Sequence, residues 1–417
     1  MDLELITIGT ELVLGLTIDS NAVEIARALA AVGARVVRRT TVADDPAAIA
    51  SAVGDALART GFVVTTGGLG PTRDDVTKRV VAELFGAPLG MDQAYLDQLG
   101  ERFQRLGRGP MPESNRSQAE VPRGAIILPN RLGTAPGLWL EGKPGVAVLL
   151  PGVPREMRGL LEQEVVPRVR ARVAERGGTP AVTLSRTLRT TGITESALAD
   201  RIAALEDRLP PATLAYLPSV EGVDLRLTAW SLKPADAEQL LGDAVETLKP
   251  VLGSHYYGED GCDLAAVVLE RLEQRGARLA VAESCTGGVL GARLTAVPGA
   301  SRVFVGGVVA YDNQVKVAAL GVPPPLIEQH GGVSEPVVRV MAEEVARRFG
   351  AAAGLAVTGI AGPTGGTPEK PVGTVWLAAF LEGRCEAALR RFAGHRDDIR
   401  QRSAQAALHL LRRTLGD

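Results

Sequence analysis

The 417-residue sequence predicts an α/β protein: two α/β domains with mainly parallel sheets, joined by a small α+β domain. Three observations carry that prediction. Short apolar runs such as Leu3–Ile8, Phe62–Thr66 and Gly145–Leu150 alternate with stretches of helical spacing, the pattern of strands buried on both faces. The same alternation returns after residue 262. Between them, 181–252 breaks it with β runs and two helices, and the chain is too long for one core. The expected domains are 1–173, 174–253 and 254–417.

In the first domain, the strand Leu3–Ile8 is followed by a helix over Asn21–Ala31, which Gly33 stops. Arg35–Thr41 is β-rich, Pro46–Thr60 helical and Phe62–Thr66 a buried strand. A helix is expected over Asp74–Phe85, ended by Gly86, then a strand at Gly145–Leu150 and a helix from Arg155. Residues 174–180 read as a linker. The middle domain offers strands at Thr183–Thr190, Thr213–Leu217 and Asp224–Leu232, with helices over Glu195–Leu205 and Ala235–Leu248. Residues 253–261 (G-S-H-Y-Y-G-E-D-G) read as a second linker. The last domain has helices near 262–275 and 335–348, strands at Arg278–Ala282, Arg302–Ala310 and Gly354–Thr358, a β pair at Thr374–Leu381 and Glu386–Phe392, and a closing helix from Asp397.

The net charge of −2 gives no basic field for nucleic acid or anionic membranes. Three scattered cysteines, Cys262, Cys285 and Cys385, lack metal-ligand spacing and suit a reducing compartment. The acidic start has no signal-peptide pattern, and no run approaches the ~18–20 apolar residues of a membrane span, so a cytoplasmic location is expected. Lysines number six against forty arginines, which makes a lysine inside a motif stand out.

Residues 282–288, A-E-S-C-T-G-G, lie between a strand and a helix, where such sheets bind ligands and where free amides favour negative charge. They place two candidate nucleophiles side by side, Ser284 and Cys285; an ordinary capped turn would read the same way. In Y-D-N-Q-V-K at 311–316, Asp312 or Asn313 caps a helix that Gly321 closes. Lys316 then falls in its first turn, where the helix dipole lowers an amine's pKa. A neutral Lys316 could deprotonate a serine, with Tyr311 relaying or orienting the proton. T-G-I-A-G-P-T-G-G at 358–366 supplies four glycines for close backbone approach to an anion. His255, His330, His395 and His409 all lie outside these segments, which disfavours a Ser–His–Asp arrangement.

Together with K-P-V-G-T-V-W at 370–376, these motifs resemble the nicotinamide mononucleotide deamidase domain that forms the C-terminal part of CinA-family proteins. The resemblance covers about 255–417. It implies hydrolysis of the carboxamide of nicotinamide mononucleotide to nicotinate mononucleotide and ammonia, with no cofactor. It carries the nucleophile onto Ser284, activated by Lys316 and Tyr311, and leaves Cys285 as packing. Glu283, Thr286, Gly287, Gly288, Thr358, Gly359 and Gly362 are expected to contact substrate. His395 departs from the acid expected there and is placed at the rim, while Arg396 and Arg400 keep the pattern.

In the first domain, G-T-E-L-V-L-G at 9–15, T-T-G-G-L-G-P-T-R-D-D-V-T at 65–77 and L-P-G-V-P-R-E-M at 150–157 each follow a strand and can converge on one crevice. Gly67, Gly68 and Gly70 would offer amides to phosphate. Asp74 and Asp75, ordinary at a helix start, also suit a hard cation beside phosphate. This stretch resembles the molybdopterin-binding fold and, more closely, the N-terminal domain of the CinA family. The resemblance implies metal-dependent hydrolysis of ADP-ribose to AMP and ribose 5-phosphate. Gly9, Glu11, Asn21, Gly67, Gly68, Gly70, Gly152 and Glu156 would bind substrate. Asp74 and Asp75 would hold Mg, Mn or Co, with a monovalent cation as accessory. Arg155-Glu156-Met157 starts like a Nudix box, but G-L-L-E-Q-E lacks the required continuation.

The middle domain loosely resembles a KH module without its G-x-x-G, so nucleic-acid binding is not expected and a role in homodimerisation is. Two other readings stand beside the two-headed hydrolase: a competence-related interaction protein without turnover, and a front domain that handles molybdopterin.

Overall fold

The computed structural model describes residues 1–105, 109–175 and 181–416. The linker expected at 174–180 lies, from 176 on, outside the described residues. By internal contacts the chain forms two compact units, Met1–Leu184 with Ala229–Gln239, and Ser185–Thr228 with the chain from Leu240 on.

The first unit contains β1 (Asp2–Ile8), β2 (Arg35–Val42) and β3 (Phe62–Thr66), then a small antiparallel pair, β4 (Leu89–Met91) with β5 (Glu120–Pro122). β6 (Ile126–Leu128), β7 (Gly137–Gly142) and β8 (Gly145–Leu150) complete a six-stranded sheet ordered β2-β1-β3-β8-β7-β6. The β2-β1-β3-β8 half is parallel, and β7 is antiparallel to both its neighbours. Alternation along the strands sorts the core onto two faces. Leu3, Leu5, Phe62, Val64, Val146 and Val148 pack with the helix Ser20–Ala30 and the helical run from Pro154. Ile6, Ile8, Val63, Ala147 and Leu149 pack with the helix Pro46–Thr60. Each large side chain so buried contributes about 1.5–3 kcal/mol. The 86–144 stretch also holds a helix, Gln93–Arg105, that the sequence pattern did not bring out.

The helix expected over Asp74–Phe85 starts at Thr77 and ends at Leu84. The Asp75 carboxylate accepts from the Thr72 amide at 2.8 Å and the Thr72 hydroxyl at 2.5 Å, closing a turn before the helix begins.

The middle strands are β9 (Val182–Thr190), β10 (Thr213–Pro218), β11 (Val223–Leu232) and β12 (Tyr256–Glu259), in the order β10-β11-β9-β12. β12 lies inside the stretch expected as a second linker. It pairs antiparallel with β9, and the buried Arg412 binds the carbonyls of Tyr256 and Ser254.

The last sheet is β13 (Leu279–Glu283), β14 (Phe304–Val309), β15 (Ala353–Gly359), β16 (Thr374–Leu381) and β17 (Arg384–Arg391), ordered β14-β13-β15-β16-β17. β13 is parallel to β14 and β15, and only β16 runs against the others. Both sheets are therefore mainly parallel in strand direction. Leu279, Val281, Leu355, Val357, Val375 and Leu377 face the helices Leu264–Gln274 and Arg396–Thr414. Ala280, Ala282, Ala356 and Ala378 face the helix Glu335–Arg348, and their small side chains let it lie close. Among the described residues no helix is long and apolar enough to cross a membrane.

Candidate functional site

β13 ends at Glu283 and the following loop turns into the helix Val289–Thr295, so Ser284 sits at the carboxyl end of the parallel strands. The Ser284 amide bonds the Val357 carbonyl at 2.9 Å, and the Gly287 amide bonds the Ser284 carbonyl at 3.1 Å. Gly287 and Gly288 take φ of 59° and 97°, the left-handed region that glycine occupies without strain. Glu283 was expected against substrate, but its carboxylate accepts from the amides of Gly288 (2.9 Å), Leu290 (3.1 Å) and Gly291 (2.8 Å). It is almost fully buried and closes the nucleophile loop onto the helix N-terminus.

Ser284, Cys285, Tyr311, Lys316, Gly359 and Gly362 line one cleft of about 370 Å³. Lys316 lies in the helix Asn313–Leu320, capped by Asp312 and closed by Gly321 as the sequence indicated. It is 2 % exposed. Burial holds its pKa below the ordinary lysine value against the opposing pull of Asp312. Desolvation, rather than the helix terminus first invoked, is the leading cause. The Lys316 ammonium nitrogen donates to Asn313 Oδ1 at 3.2 Å and to the Tyr311 carbonyl at 3.4 Å. The Ser284 hydroxyl makes no hydrogen bond among the described residues, and shares the cleft with Lys316 without being bonded to it. The Tyr311 hydroxyl accepts from Arg396 at 2.5 Å and does not reach Lys316; the main chain of Tyr311 does.

Cys285 is buried, and burial pushes its thiol up to about 12, which leaves it protonated and unreactive. Gly359 is required behind it: a Cβ there would lie 2.7 Å from Val375 Cγ2 and 3.0 Å from Cys285 Sγ.

Glu283, Thr286, Gly287, Gly288 and Thr358 stand behind the cleft instead of lining it. The Thr286 carbonyl accepts from Arg400 at 3.0 and 3.1 Å, and the Thr358 hydroxyl donates to the Gly332 carbonyl at 2.8 Å. Sequence reasoning missed Asn313 and the Gly332–Val333 turn, and left Arg396 without a role. Asn313 carried a signal, as a polar residue one turn before the lysine. Arg396 donates to the Gly362 carbonyl at 2.6 Å and so ties the glycine loop to the tyrosine. His395 is exposed at the start of the closing helix, where its amide bonds Asp398.

In the first unit the three glycine turns do converge. Asn21 donates to Thr66 Oγ1 at 3.1 Å and to the Gly152 carbonyl at 2.8 Å, and the Gly67 amide bonds the Leu150 carbonyl at 3.0 Å. Gly67 has φ 113°, and a Cβ there would lie 2.0 Å from the Ile8 carbonyl. Gly9 precedes and Glu11 lies within the short helix Thr10–Val13, which Thr10 fixes to Asp44.

Beside these turns lies a cleft of about 440 Å³ lined by Gly68, Gly70, Thr72, Asp75, Lys78 and Glu120, among others. Lys78 was not anticipated. Burial lowers its pKa to about 8 against the nearby Glu120 and Asp75, and it donates to the Ser117 carbonyl at 2.5 Å. Two expectations change. Glu156 turns to the loop at 130–135, where Asn130 donates to it at 2.6 Å and burial raises its pKa. Asp74 is exposed and does not line the cleft, while Asp75 is engaged by Thr72. Among the described residues no group of three His, Cys, Asp or Glu could hold a metal ion. The donor set does not fit a cation held by the chain alone.

Comparison with known proteins adds to this geometry. Residues 262–415 match the model of the CinA C-terminal domain, residues 4–171 that of a probable molybdopterin binding domain, and residues 185–258 that of the damage-inducible protein CinA KH domain. A CinA-like protein of Gemmatimonas aurantiaca is 54% identical over 99% of this chain and 96% of its own length. One from Gloeobacter violaceus is 45% identical over the same shares. The crystal structure of the competence damage-inducible protein A from Klebsiella pneumoniae is 37% identical, covering 36% of this chain and 94% of that one, with a TM-score of 0.36.

Proposed function

The chain belongs to the CinA family, and we propose that it is a two-site hydrolase of pyridine-nucleotide salvage, working in the cytoplasm. The C-terminal site deamidates nicotinamide mononucleotide. The observation that carries this reading is a serine with a free hydroxyl sharing one cleft with a buried, pKa-lowered lysine. Neutral Lys316 takes the Ser284 proton as Oγ attacks the carboxamide carbon, and returns it to the departing nitrogen, releasing ammonia. Water, deprotonated by Lys316, then attacks the ester carbon; the C–Oγ bond breaks, Lys316 returns the proton to Ser284 Oγ, and nicotinate mononucleotide leaves. Asn313 and the Tyr311 carbonyl hold the amine in place. Tyr311 presents its hydroxyl proton to the cleft because its oxygen accepts from Arg396. Arg396 gives the mouth of the cleft a positive charge suited to the phosphate.

For the front cleft the proposed substrate is ADP-ribose, with loop amides and Lys78 facing the diphosphate. A metal requirement would enter with the substrate, since the chain's own donors do not make a cation site. The match to a probable molybdopterin binding domain favours one alternative, pterin binding at the same cleft.

The test is ammonia release from nicotinamide mononucleotide by wild type and Ser284→Ala, with AMP release from ADP-ribose followed in parallel. Loss of the first activity with survival of the second supports the reading. Equal deamidation by both proteins rejects Ser284. Tight molybdopterin binding without AMP formation would assign the front cleft to the pterin. The homodimer expected from the sequence remains a proposal to be checked by sedimentation.

A further inference from the structure

Within the second unit lies another cleft, of about 580 Å³, that shares no lining residue with the Ser284 cleft. One wall is the turn after β9 (Thr191–Thr194) and the loop between β10 and β11. The other is the end of β17 and one face of the helix Arg396–Thr414. Three features make it a built site. First, Arg390, Arg391 and Arg402 line it, and none has an ion-pair partner among the described residues. Of the two acids on the wall, Glu221 is already taken by Arg189 at 2.5 Å and Arg293 at 3.5 Å, leaving Glu195. The cleft therefore carries unbalanced positive charge.

Second, two lining side chains that are more than nine-tenths buried keep nitrogen atoms without partners. Gln405 Oε1 accepts from Arg293 at 2.7 Å while its Nε2 has no partner, and His409 Nδ1 has none either. Arg402 Nε is likewise unpartnered. These nitrogens are themselves sealed from solvent, so they mark a wall whose hydrogen bonding is incomplete, and not donors already turned into the cleft. His409 stays neutral in ordinary conditions, because burial and the nearby Arg412, Arg413, His255 and Arg390 hold it at about 4. Third, part of the remaining lining is apolar, with Phe392, Ile193, Val220 and Ala406 standing beside the hydroxyls of Thr191, Thr194 and Ser219. The volume and the mix of apolar and basic wall match a small organic anion rather than a bare ion.

We propose that this cleft binds a nucleoside monophosphate, with the phosphate on Arg391 and Arg402 and the base against Phe392 and Ile193. Planar guanidinium pairs suit a phosphomonoester, and an aromatic wall suits a base. The site is independent of the deamidase reading. The same helix carries Arg396 to the wall of the nucleophile cleft and Arg400 to the Thr286 carbonyl behind it.

The experiment is hydrogen–deuterium exchange on the full chain with AMP, adenosine or inorganic phosphate as probes. It reads peptides spanning 186–195 and 388–410, with 279–296 as the report on the other cleft. AMP is expected to protect the first two peptides, with an affinity at least about tenfold better than adenosine or phosphate. R391Q/R402Q should lose at least about tenfold in affinity, the value of one to two charged hydrogen bonds, at an unchanged melting temperature. Ala393→Trp, which fills the cleft from an exposed position, should give the same loss. The proposal is overturned if AMP leaves both peptides unprotected in the wild type, or if both variants bind AMP as the wild type does. Phosphate binding as tightly as AMP would overturn the nucleoside part of the assignment.

Discussion

Glu283→Gln separates two roles that a motif cannot distinguish. The carboxylate accepts three backbone amides, one through Oε1 and two through Oε2. Glutamine keeps one acceptor oxygen but turns an NH2 group toward at least one of those N–H donors. One charge-assisted hydrogen bond, about 1.5–3 kcal/mol, is lost, and a donor then faces a donor. A local cost of about 2–4 kcal/mol follows, which corresponds to on the order of thirtyfold to a thousandfold faster exchange of the Gly288–Gly291 amides. Native-state hydrogen exchange of a peptide over 284–294 reads this directly, beside the melting temperature and the deamidation kinetics. The expected result is faster exchange, lower stability and a fall in kcat as Ser284 loses its support. A raised KM with unchanged exchange and stability would show Glu283 touching substrate after all, and would refute the argument.

Lys78→Met tests the front cleft through linkage. Lys78 keeps its proton to about pH 10.5 unfolded but only to about pH 8 folded, so the unfolded chain binds more protons between these values and wild-type stability rises across that window. The penalty is fully present below pH 8. The variant should gain up to about 3 kcal/mol at pH 7, less ~1 kcal/mol for the Ser117 carbonyl left without its donor, and the gain should fade toward pH 10.5 in urea unfolding. Gly67→Ala forces a Cβ onto the Ile8 carbonyl at positive φ. It should cost about 1–3 kcal/mol in thermal unfolding of the first unit and weaken ADP-ribose binding, measured by calorimetry. Asn313→Ala removes an acceptor that favours the Lys316 ammonium, so the acid limb of kcat/KM for deamidation should move to lower pH; a limb that stays put would remove Lys316 as the base.

Much of this was legible because local chemistry and tertiary structure agree. Asp312 caps and Gly321 closes the lysine helix, and Pro46–Thr60 and Phe62–Thr66 end where glycine and capping residues end them. What was not legible depended on side-chain direction. A strand-end acid such as Glu283 can face a ligand or the following helix, and only the three-dimensional path of the loop decides. Asp74 and Asp75 are adjacent, yet two hydrogen bonds from Thr72 fix Asp75 in the cleft wall while Asp74 is exposed. Lys78, in the helix Thr77–Leu84, and Glu120, in β5, are 42 positions apart, and no spacing rule brings them together. Residues 253–261 look like a linker because an edge strand of four residues, Tyr256–Glu259, is too short to show alternation.

The central claim is that Ser284, not Cys285, forms the covalent bond in a cleft where Lys316 acts as the base. The most direct measurement is rapid acid quench during turnover of nicotinamide mononucleotide, followed by mass spectrometry of the peptide spanning 279–293. The account predicts an acyl adduct localised to Ser284, unchanged in Cys285→Ala and absent in Ser284→Ala. An adduct on Cys285, or steady ammonia release by Ser284→Ala, would contradict it.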